Sequence, residues 1–205
     1  MSKTKEKILN TSLLLFNEYG LSKITLRRIA LEMGISQGNL NYHFKKREDI
    51  VEQLYQQLVQ NIDANIQQIN PLHLSIKTIY SITHNIAFQF YEFRFFLLDF
   101  TQIMREHEAI RAHYQELSNI RKSQMMFIWN QLVFKKLIRP EAFTQEYENL
   151  YTRIQIMSDF WMSSHSIQKG TITKKQTTAY VKIIFENIYP YLTVLGHDQY
   201  QNINL

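Results

Sequence analysis

The sequence has 205 residues, of which 45% are hydrophobic and 13% aromatic, which is enough apolar material for a packed core. Five glycines and three prolines are too few for the many tight turns of an all-β fold or for a glycine-rich nucleotide loop, and the absence of cysteine excludes disulfides, a thiol nucleophile and cysteine-bound zinc. The formal net charge is +5, and residues 1–50 hold nine Lys/Arg against five Asp/Glu. This basic end of the chain favours a polyanionic partner such as DNA or an anionic membrane. The alternative is a basic surface that is simply solvated.

Apolar residues recur every three to four positions through the first third of the chain, which is the spacing of helices with one buried face. The predicted helices there are residues 3–19, 26–33, 37–44 and 47–68. Gly20 ends the first helix, and Thr25 and Ser36 can cap the second and third with their hydroxyl groups. The dipeptide Asn70-Pro71 ends the fourth.

The rest of the chain is predicted to form five long helices. They are residues 74–91, 93–107, 109–136, 141–168 and 174–195. Pro140 is expected at the start of the fourth of these helices and Gly170 at its end, and Pro190 is expected to kink the fifth. The tail after Gly196 is polar and is expected to fray. These patterns predict an all-α protein of about nine helices.

Residues 25–44 have the layout of a helix-turn-helix motif. Gly34 falls in the turn, where glycine adopts left-handed backbone angles without strain. Leu40 and Phe44 are four residues apart, so they share one face of the second helix of the motif. We expect that face to pack on Ile29, Met33 and Ile35.

The opposite face of the same helix presents neutral donors and acceptors and an aromatic ring. Its residues are Gln37, Asn39, Asn41, Tyr42 and His43. Glutamine and asparagine amides can bind adenine bidentately in a major groove. Gly38 has no side chain and lets the helix backbone approach a partner closely, and the basic run at 45–47 can contact phosphates. The pattern therefore predicts a DNA-binding head.

The segment IALEMGISQGNLNYHFKKREDI, residues 29–50, resembles the DNA-binding motif of the TetR family of bacterial transcriptional repressors. The positions that match the family pattern are Phe16, Gly20, Ile29, Ala30, Gly34, Ser36, Gly38, Leu40, His43, Phe44, Glu48 and Ile50. Two places depart from it. Asn41 stands where the family usually has a tyrosine that contacts phosphate, and Lys46 and Arg47 stand where it has Ser or Asn followed by Lys.

The resemblance implies that residues 1–48 form a DNA-binding domain and residues 49–205 a helical domain for ligand binding and dimerisation. By position, it implies that seven residues face the groove: Arg27, Gln37, Gly38, Asn39, Asn41, Tyr42 and His43. Thr25 and Arg47 are implied to lie near phosphates. The alternative for each residue is an ordinary solvated position on a helix.

The helices predicted at 141–168 and 174–195 are apolar on two sides, and such a helix packs on two neighbours. One neighbour can be the chain's own core and the other a second copy, giving a four-helix bundle across a two-fold axis. Dimers also place two recognition helices about 34–36 Å apart, one turn of duplex. The chain is therefore predicted to be a homodimer, and the alternative is a larger monomeric core.

The middle helices are rich in aromatic and methionine side chains, and the resemblance implies that an effector binds in this part of the chain. The candidate ligand-binding residues are His84, Phe88, Phe100, Met104, Met125 and Trp129. The alternative for each is ordinary core packing. A mostly apolar pocket with a few polar anchors favours a hydrophobic or aromatic small molecule.

These observations predict a ligand-responsive regulator, in its simplest form a repressor, that binds palindromic double-stranded DNA as a homodimer and is released by a small molecule. Two alternatives stay open: a helical enzyme that acts on a hydrophobic small molecule, and a basic protein that binds DNA or membranes without sequence preference. No cofactor or metal is expected, since His107 and His113 are six residues apart and share no helix face. The chain has no apolar run of membrane-spanning length and no signal-peptide pattern, so a cytoplasmic location without membrane insertion is expected.

Overall fold

The computed structural model describes residues 2–203, which form eleven α-helices and three short 3-10 turns and contain no β-strand. The helices are α1 (Lys3–Tyr19), α2 (Leu26–Glu32), α3 (Gln37–His43), α4 (Arg47–Gln67), α5 (Ile76–Glu92), α6 (Arg94–Leu98), α7 (Phe100–Glu106), α8 (Glu108–Phe134), α9 (Glu146–Lys169), α10 (Lys174–Glu186) and α11 (Val194–Gln201). The all-α prediction is confirmed, and the two extra helices come from breaks within predicted ones. None of the described helices is long and apolar enough to cross a membrane.

The first four helices lie where the sequence predicts them, to within one residue at each end. The two predicted hydroxyl caps are present: the Thr25 side chain accepts a hydrogen bond from the Arg28 amide at 3.2 Å, and Ser36 accepts one from the Asn39 amide at 3.1 Å. Such caps satisfy amides that have no partner within the helix. Gly20 ends α1 with a φ of 83°, in the left-handed region.

The buried side chains form two hydrophobic clusters. The first begins in α1–α4 and continues without a break into α6, α7 and α9, with Phe16 of α1 against Phe95 of α6 at 5.3 Å between ring centroids. The second joins α5, the end of α8, α10 and the last helices around Trp129 and Phe185. The N-terminal head therefore shares its core with α6 rather than standing on a core of its own.

The helix predicted at 93–107 is two helices, and that prediction is wrong at Asp99. There the backbone has φ −102° and ψ 18°, outside the helical region. The Asp99 carboxylate accepts a hydrogen bond from the Leu21 amide at 2.9 Å, a partner 78 residues away in sequence. The break therefore depends on a tertiary contact that a local pattern does not reveal.

The helix predicted at 141–168 begins later, at Glu146, so Pro140 does not lie at its start. Gln145 has a left-handed backbone with φ 67°, which stops the helix from extending toward the N-terminus. The Glu146 carboxylate accepts from both terminal nitrogens of Arg139, at 2.8 and 2.7 Å, and from the Ala142 amide at 2.7 Å. These bonds lower the pKa of Glu146 to about 2, the Arg139 side chain being the largest cause. Gly170 ends α9 as predicted, with φ 81°.

The helix predicted at 174–195 ends at Glu186 and is followed by a 3-10 turn over Tyr189–Tyr191 that contains Pro190. The chain then forms α11, so the prediction of a frayed tail after Gly196 is wrong for the described residues. Gly196 lies inside α11 and is buried, and a Cβ there would clash with the Leu137 carbonyl. Close backbone contact, which only glycine permits here, holds this helix to the body.

Candidate nucleic-acid interface and internal cavity

The turn between α2 and α3 has the geometry of a glycine-terminated helix. Gly34 has φ 65°, its amide donates to the Leu31 carbonyl at 3.1 Å, and the Ile35 amide donates to the Ala30 carbonyl at 3.0 Å. This pair of bonds satisfies the last carbonyls of α2 and reverses the chain into α3. The turn fixes the angle between the two helices and so the direction in which α3 presents its outer face.

The inner face of α3 packs as the sequence predicts. Leu40 and Phe44 are buried beside Ile29, and Met33 and Ile35 pack partly buried against the same cluster. The outer face is solvent-exposed and consists of Gln37, Gly38, Asn39, Asn41 and Tyr42. Tyr42 is 86% exposed. The predicted face of amides and one aromatic ring is therefore available to a partner.

His43 and Gly38 have different structural settings on this helix. His43 is half-buried, and its ring lies edge-on to Tyr42 at 5.2 Å between centroids. At Gly38 a Cβ would meet only the Ser36 hydroxyl, at 3.9 Å, and its φ is not left-handed. Nothing in the fold requires glycine at position 38, so its use there points to a requirement from outside the protein.

The basic residues around α3 divide into two kinds. Arg27, Lys45 and Lys46 have exposed side chains. Arg47 is half-buried, donates to the Leu21 carbonyl at 3.1 Å and lies 3.5 Å from Glu48. Arg47 therefore ties the start of α4 to the turn after α1, whereas the exposed three can reach a phosphate directly. Thr25, in turn, uses its hydroxyl as the cap of α2.

The head is attached to the body through α6. Asn17 of α1 donates to the Glu92 carbonyl at 2.7 Å and accepts from the Phe95 amide at 3.0 Å. The Asp99 carboxylate holds the Leu21 amide just beyond α1. Together with the packing of Phe16 on Phe95, these bonds make the orientation of the head depend on the position of α6.

An elongated cavity of about 230 Å³ lies between α4, α5, α8 and α9. Its walls are mainly aliphatic and aromatic, with α5 contributing Ile82, Ile86 and Phe90 from one face. A surface groove that includes Phe127 and Pro71 shares Ile66 and Ile128 with the cavity. The groove therefore adjoins the cavity at these residues.

One end of the cavity carries a cluster of polar side chains. The Tyr114 hydroxyl donates to the Asp159 carboxylate at 2.7 Å. Gln155 donates to the Ser118 hydroxyl at 2.8 Å and to the Tyr114 oxygen at 3.3 Å, and the Tyr151 hydroxyl donates to the Ser118 carbonyl. Burial raises the pKa of Asp159 to about 6, and the Tyr114 hydrogen bond opposes that shift in part.

Arg121 is the other charged residue of the cavity wall. Its guanidinium is ion-paired with Asp63 of α4 and donates to the Gln124 side chain at 2.8 Å. Burial lowers the pKa of Arg121, while the Asp63 carboxylate lies directly against it. The positive charge of the cavity wall is therefore compensated within the protein.

Of the six residues predicted to bind a ligand, Met125 and Trp129 line this cavity. Phe100 lies next to it, with its ring 5.2 Å from that of Tyr114. The structure places His84, Phe88 and Met104 elsewhere. The rings of His84 and Phe88 stack with 4.4 Å between their centroids. Each residue is two positions along α5 from the nearest wall residues, which is about half a helical turn, so both lie on the opposite side of the helix.

Asp159, Tyr114 and Arg121 belong to the cavity wall, and the sequence did not predict them as ligand-binding residues. A signal for Asp159 was present, because a lone carboxylate interrupts the apolar pattern between Ile154 and Trp161. The apolar pattern of that helix predicts a dimer interface and does not by itself predict a cavity wall. No group of three or more His, Asp or Glu residues within 2–203 is arranged to bind a metal ion.

The outer faces of α9 and α10 expose apolar side chains in a row. The exposed members are Ile156, Phe160, Ile167 and Ile183. A groove between the two helices is lined by Trp161, Tyr180 and Ala179, with Trp161 and Tyr180 stacked at 4.1 Å. The two-sided apolar character predicted for these helices is thus present on the surface of the single chain.

Comparisons with known proteins agree with this architecture. A family model described as "Bacterial regulatory proteins, tetR family" matches residues 8–54, and one described as "Bacterial transcriptional repressor" matches residues 54–200. The uncharacterized HTH-type transcriptional regulator YerO of Bacillus subtilis (strain 168) is 41% identical over 51 residues, which are 25% of this chain and 18% of YerO. The match therefore spans less than a fifth of that relative.

Solved structures resemble the whole chain in fold. A TetR-family transcriptional regulator from Marinobacter aquaeolei VT8 aligns with a TM-score of 0.87 and 23% identity, covering 97% of this chain and 95% of that one. A putative transcriptional regulator from Saccharomonospora viridis, in complex with choline, aligns with a TM-score of 0.67 and 15% identity, covering 92% of this chain and 97% of that one.

Proposed function

Because the chain belongs to the TetR family of bacterial transcriptional regulators, we propose that it binds a palindromic operator as a homodimer and leaves it when a small molecule occupies the internal cavity. Residues 1–48 are the DNA-binding head and residues 49–205 the ligand-binding and dimerisation body. The observation that best supports DNA recognition is the outer face of α3, where amides surround a glycine that the fold itself does not require.

In this proposal α3 enters the major groove and its amides contact base edges. Gln37 and Asn41 lie four residues apart on α3 and are both exposed, so they face the same stretch of bases. Lys45 and Lys46 provide phosphate contacts, which add affinity without sequence preference. Asn41 replaces the family's usual tyrosine, so we assign position 41 to base contact rather than to phosphate.

The dimer forms through the exposed apolar side of α9 and α10, within the predicted ranges 141–168 and 174–195. Ile156 and Phe160 of α9 and Ile183 of α10 are then covered by a second copy, which removes their apolar surface from water. A two-fold axis at this surface sets the distance between the two copies of α3.

Release follows from a series of contacts between the cavity and the head. Tyr114 of the cavity packs on Phe100 at 5.2 Å, and Phe100 follows Asp99, which holds the Leu21 amide. A ligand that moves Tyr114 thereby moves the α6–α7 break and the head attached to it. Coupling energies between such sites are typically about 1–3 kcal/mol, so operator affinity is expected to fall about 5- to 150-fold.

The test is selection of a binding site from random duplexes, followed by gel shifts at physiological salt with the selected palindrome and with scrambled DNA. Asn41→Ala and Gln37→Ala should each weaken discrimination at one base position by about 1–3 kcal/mol. Asn130→Ala, an exposed amide on α8, is the matched control and should change nothing. Equal affinity of the unaltered protein for palindrome and scrambled DNA would contradict the proposal.

A further inference from the structure

Asp159 is a partly buried carboxylate in the cavity wall, and its partners are neutral. Within residues 2–203 its carboxylate accepts one hydrogen bond, from the Tyr114 hydroxyl, and none of the ion pairs involves it. Glu146, by contrast, is held by the guanidinium of Arg139. A carboxylate taken out of water without a cation is costly, so such a group is a site where a ligand can supply the missing charge.

The charge balance of the cavity points in the same direction. Arg121, the cationic residue of the wall, is neutralised by Asp63, so the wall carries one uncompensated negative charge, that of Asp159. An anionic ligand would have to displace Asp63 from Arg121 and would also meet the Asp159 carboxylate. A cationic ligand needs neither rearrangement.

The surroundings of Asp159 suit an organic cation rather than a metal ion. The rings of Tyr114 and Tyr151 line the same cavity, and aromatic faces attract cations. No second carboxylate of residues 2–203 joins Asp159 in the wall. Beyond this end the α8 wall continues from Tyr114 to Ile128, about 20 Å at 1.5 Å per residue. Its apolar members are Leu117, Met125 and Ile128, and its polar members are Ser118, Gln124 and the ion-paired Arg121.

We propose that the effector is a lipophilic organic cation, an amine or a quaternary ammonium compound, whose charged group binds at Asp159 and whose apolar part lies along α8 toward Ile128. This inference rests on the proposed function only in taking the cavity as the effector site. The groove at Phe127 and Pro71 is the entrance by which the apolar part reaches the surface.

The experiment uses three probes with linear apolar chains of nearly equal length: octyltrimethylammonium, 1-octanol and octanoate. The protein contains two tryptophans, so Trp161→Phe leaves Trp129, in the cavity wall, as the reporter of binding by fluorescence. Octyltrimethylammonium should bind at least about tenfold more tightly than 1-octanol, and octanoate more weakly than either.

In the same background, Asp159→Asn should remove the advantage of the cation while leaving 1-octanol binding unchanged. Asp198→Asn, which neutralises an exposed carboxylate on α11, is the control and should leave the advantage intact. An affinity for octyltrimethylammonium no higher than that for 1-octanol, or an advantage that survives Asp159→Asn, overturns the proposal.

A separate gel shift with operator DNA distinguishes this inference from the proposed function. Tight, Asp159-dependent binding of the cation without release of DNA would support the ligand class and contradict the release mechanism. Release by 1-octanol or octanoate, with no preference for the cation, would support the mechanism and overturn the ligand class.

Discussion

Replacing Asp159 by Asn should stabilise the protein at neutral pH in the absence of ligand. The substitution keeps the shape of the side chain and an oxygen that can accept the Tyr114 hydrogen bond, and it removes only the buried charge. A residue whose removal stabilises the protein is uncommon, and it is expected where a site is arranged for a ligand rather than for the fold.

The magnitude follows from the pKa of Asp159, which burial raises from its ordinary 3.8 to about 6 in the folded protein. A carboxyl group with a raised folded-state pKa contributes stability that is complete below its unfolded pKa and is lost as the pH rises through the folded one. A shift of about two pKa units corresponds to about 3 kcal/mol, because one unit is 1.36 kcal/mol. The advantage of the Asn variant should therefore grow by about 2 kcal/mol between roughly pH 4 and pH 7.5.

Other titrating groups do not obscure this difference. The titratable side chains that face Asp159 are Tyr114 from α8, Tyr151 on its own helix and Tyr180 from α10. Burial raises the pKa of each, so all three stay neutral between pH 4 and 7.5. Groups far from the cavity titrate equally in both proteins and cancel.

The measurement is urea unfolding followed by circular dichroism at several pH values, with protein concentration held constant because a dimer's apparent stability depends on it. Asp198→Asn, at an exposed site, should show no such pH-dependent gain. If the difference between Asp159→Asn and the unaltered protein does not grow with pH, the carboxylate is not desolvated in solution, which contradicts the proposal of a cationic ligand.

Three further substitutions test the interface, the tail and the coupling. Gly38→Ala should leave the fold intact and stabilise α3 by about 0.5–1 kcal/mol in urea unfolding, yet weaken operator binding in gel shifts, since the added methyl group meets DNA rather than protein. Gly196→Ala should lower the free energy of unfolding by about 1–3 kcal/mol, because its Cβ clashes with the Leu137 carbonyl. Asp99→Ala leaves the Leu21 amide without its acceptor and should preserve ligand binding, measured by fluorescence, while reducing ligand-driven release of operator.

The head could be predicted from the sequence because its determinants are local. Hydroxyl caps, the glycine at 34 and the four-residue spacing of Leu40 and Phe44 each act within a few residues, and all are present in the structure. The motif does not predict that the Arg47 guanidinium donates to the Leu21 carbonyl, because that hydrogen bond joins residues that are 26 apart in sequence. The position of a residue in the motif therefore predicts its place on the helix, but it does not predict the contacts of its side chain.

The cavity could not be predicted in the same way, because aromatic content does not distinguish its wall from ordinary core. On α5 the sequence favours His84 and Phe88, whereas the wall residues include the aliphatic Ile82 and Ile86 on the other side of the helix. Rotation of a helix about its axis is set by its neighbours when both faces are apolar. Only packing against α4, α8 and α9 determines which side lines the cavity.

Two acidic residues interrupt apolar helices, and their different partners explain their different roles. Asp99 accepts a hydrogen bond from the Leu21 amide, so it connects the head to the break between α6 and α7. Asp159 accepts a hydrogen bond from the Tyr114 hydroxyl within the cavity wall, where a ligand can reach its carboxylate. Phe100 lies between them, following Asp99 in sequence and packing on Tyr114 in space. A cation that draws the Asp159 carboxylate away from Tyr114 therefore acts on the aromatic contact between Tyr114 and Phe100, next to the residue that holds the head. A ligand shifts an equilibrium only by its differential affinity for the two states. Operator DNA should therefore weaken binding of the cation by the same factor by which the cation weakens binding of operator DNA.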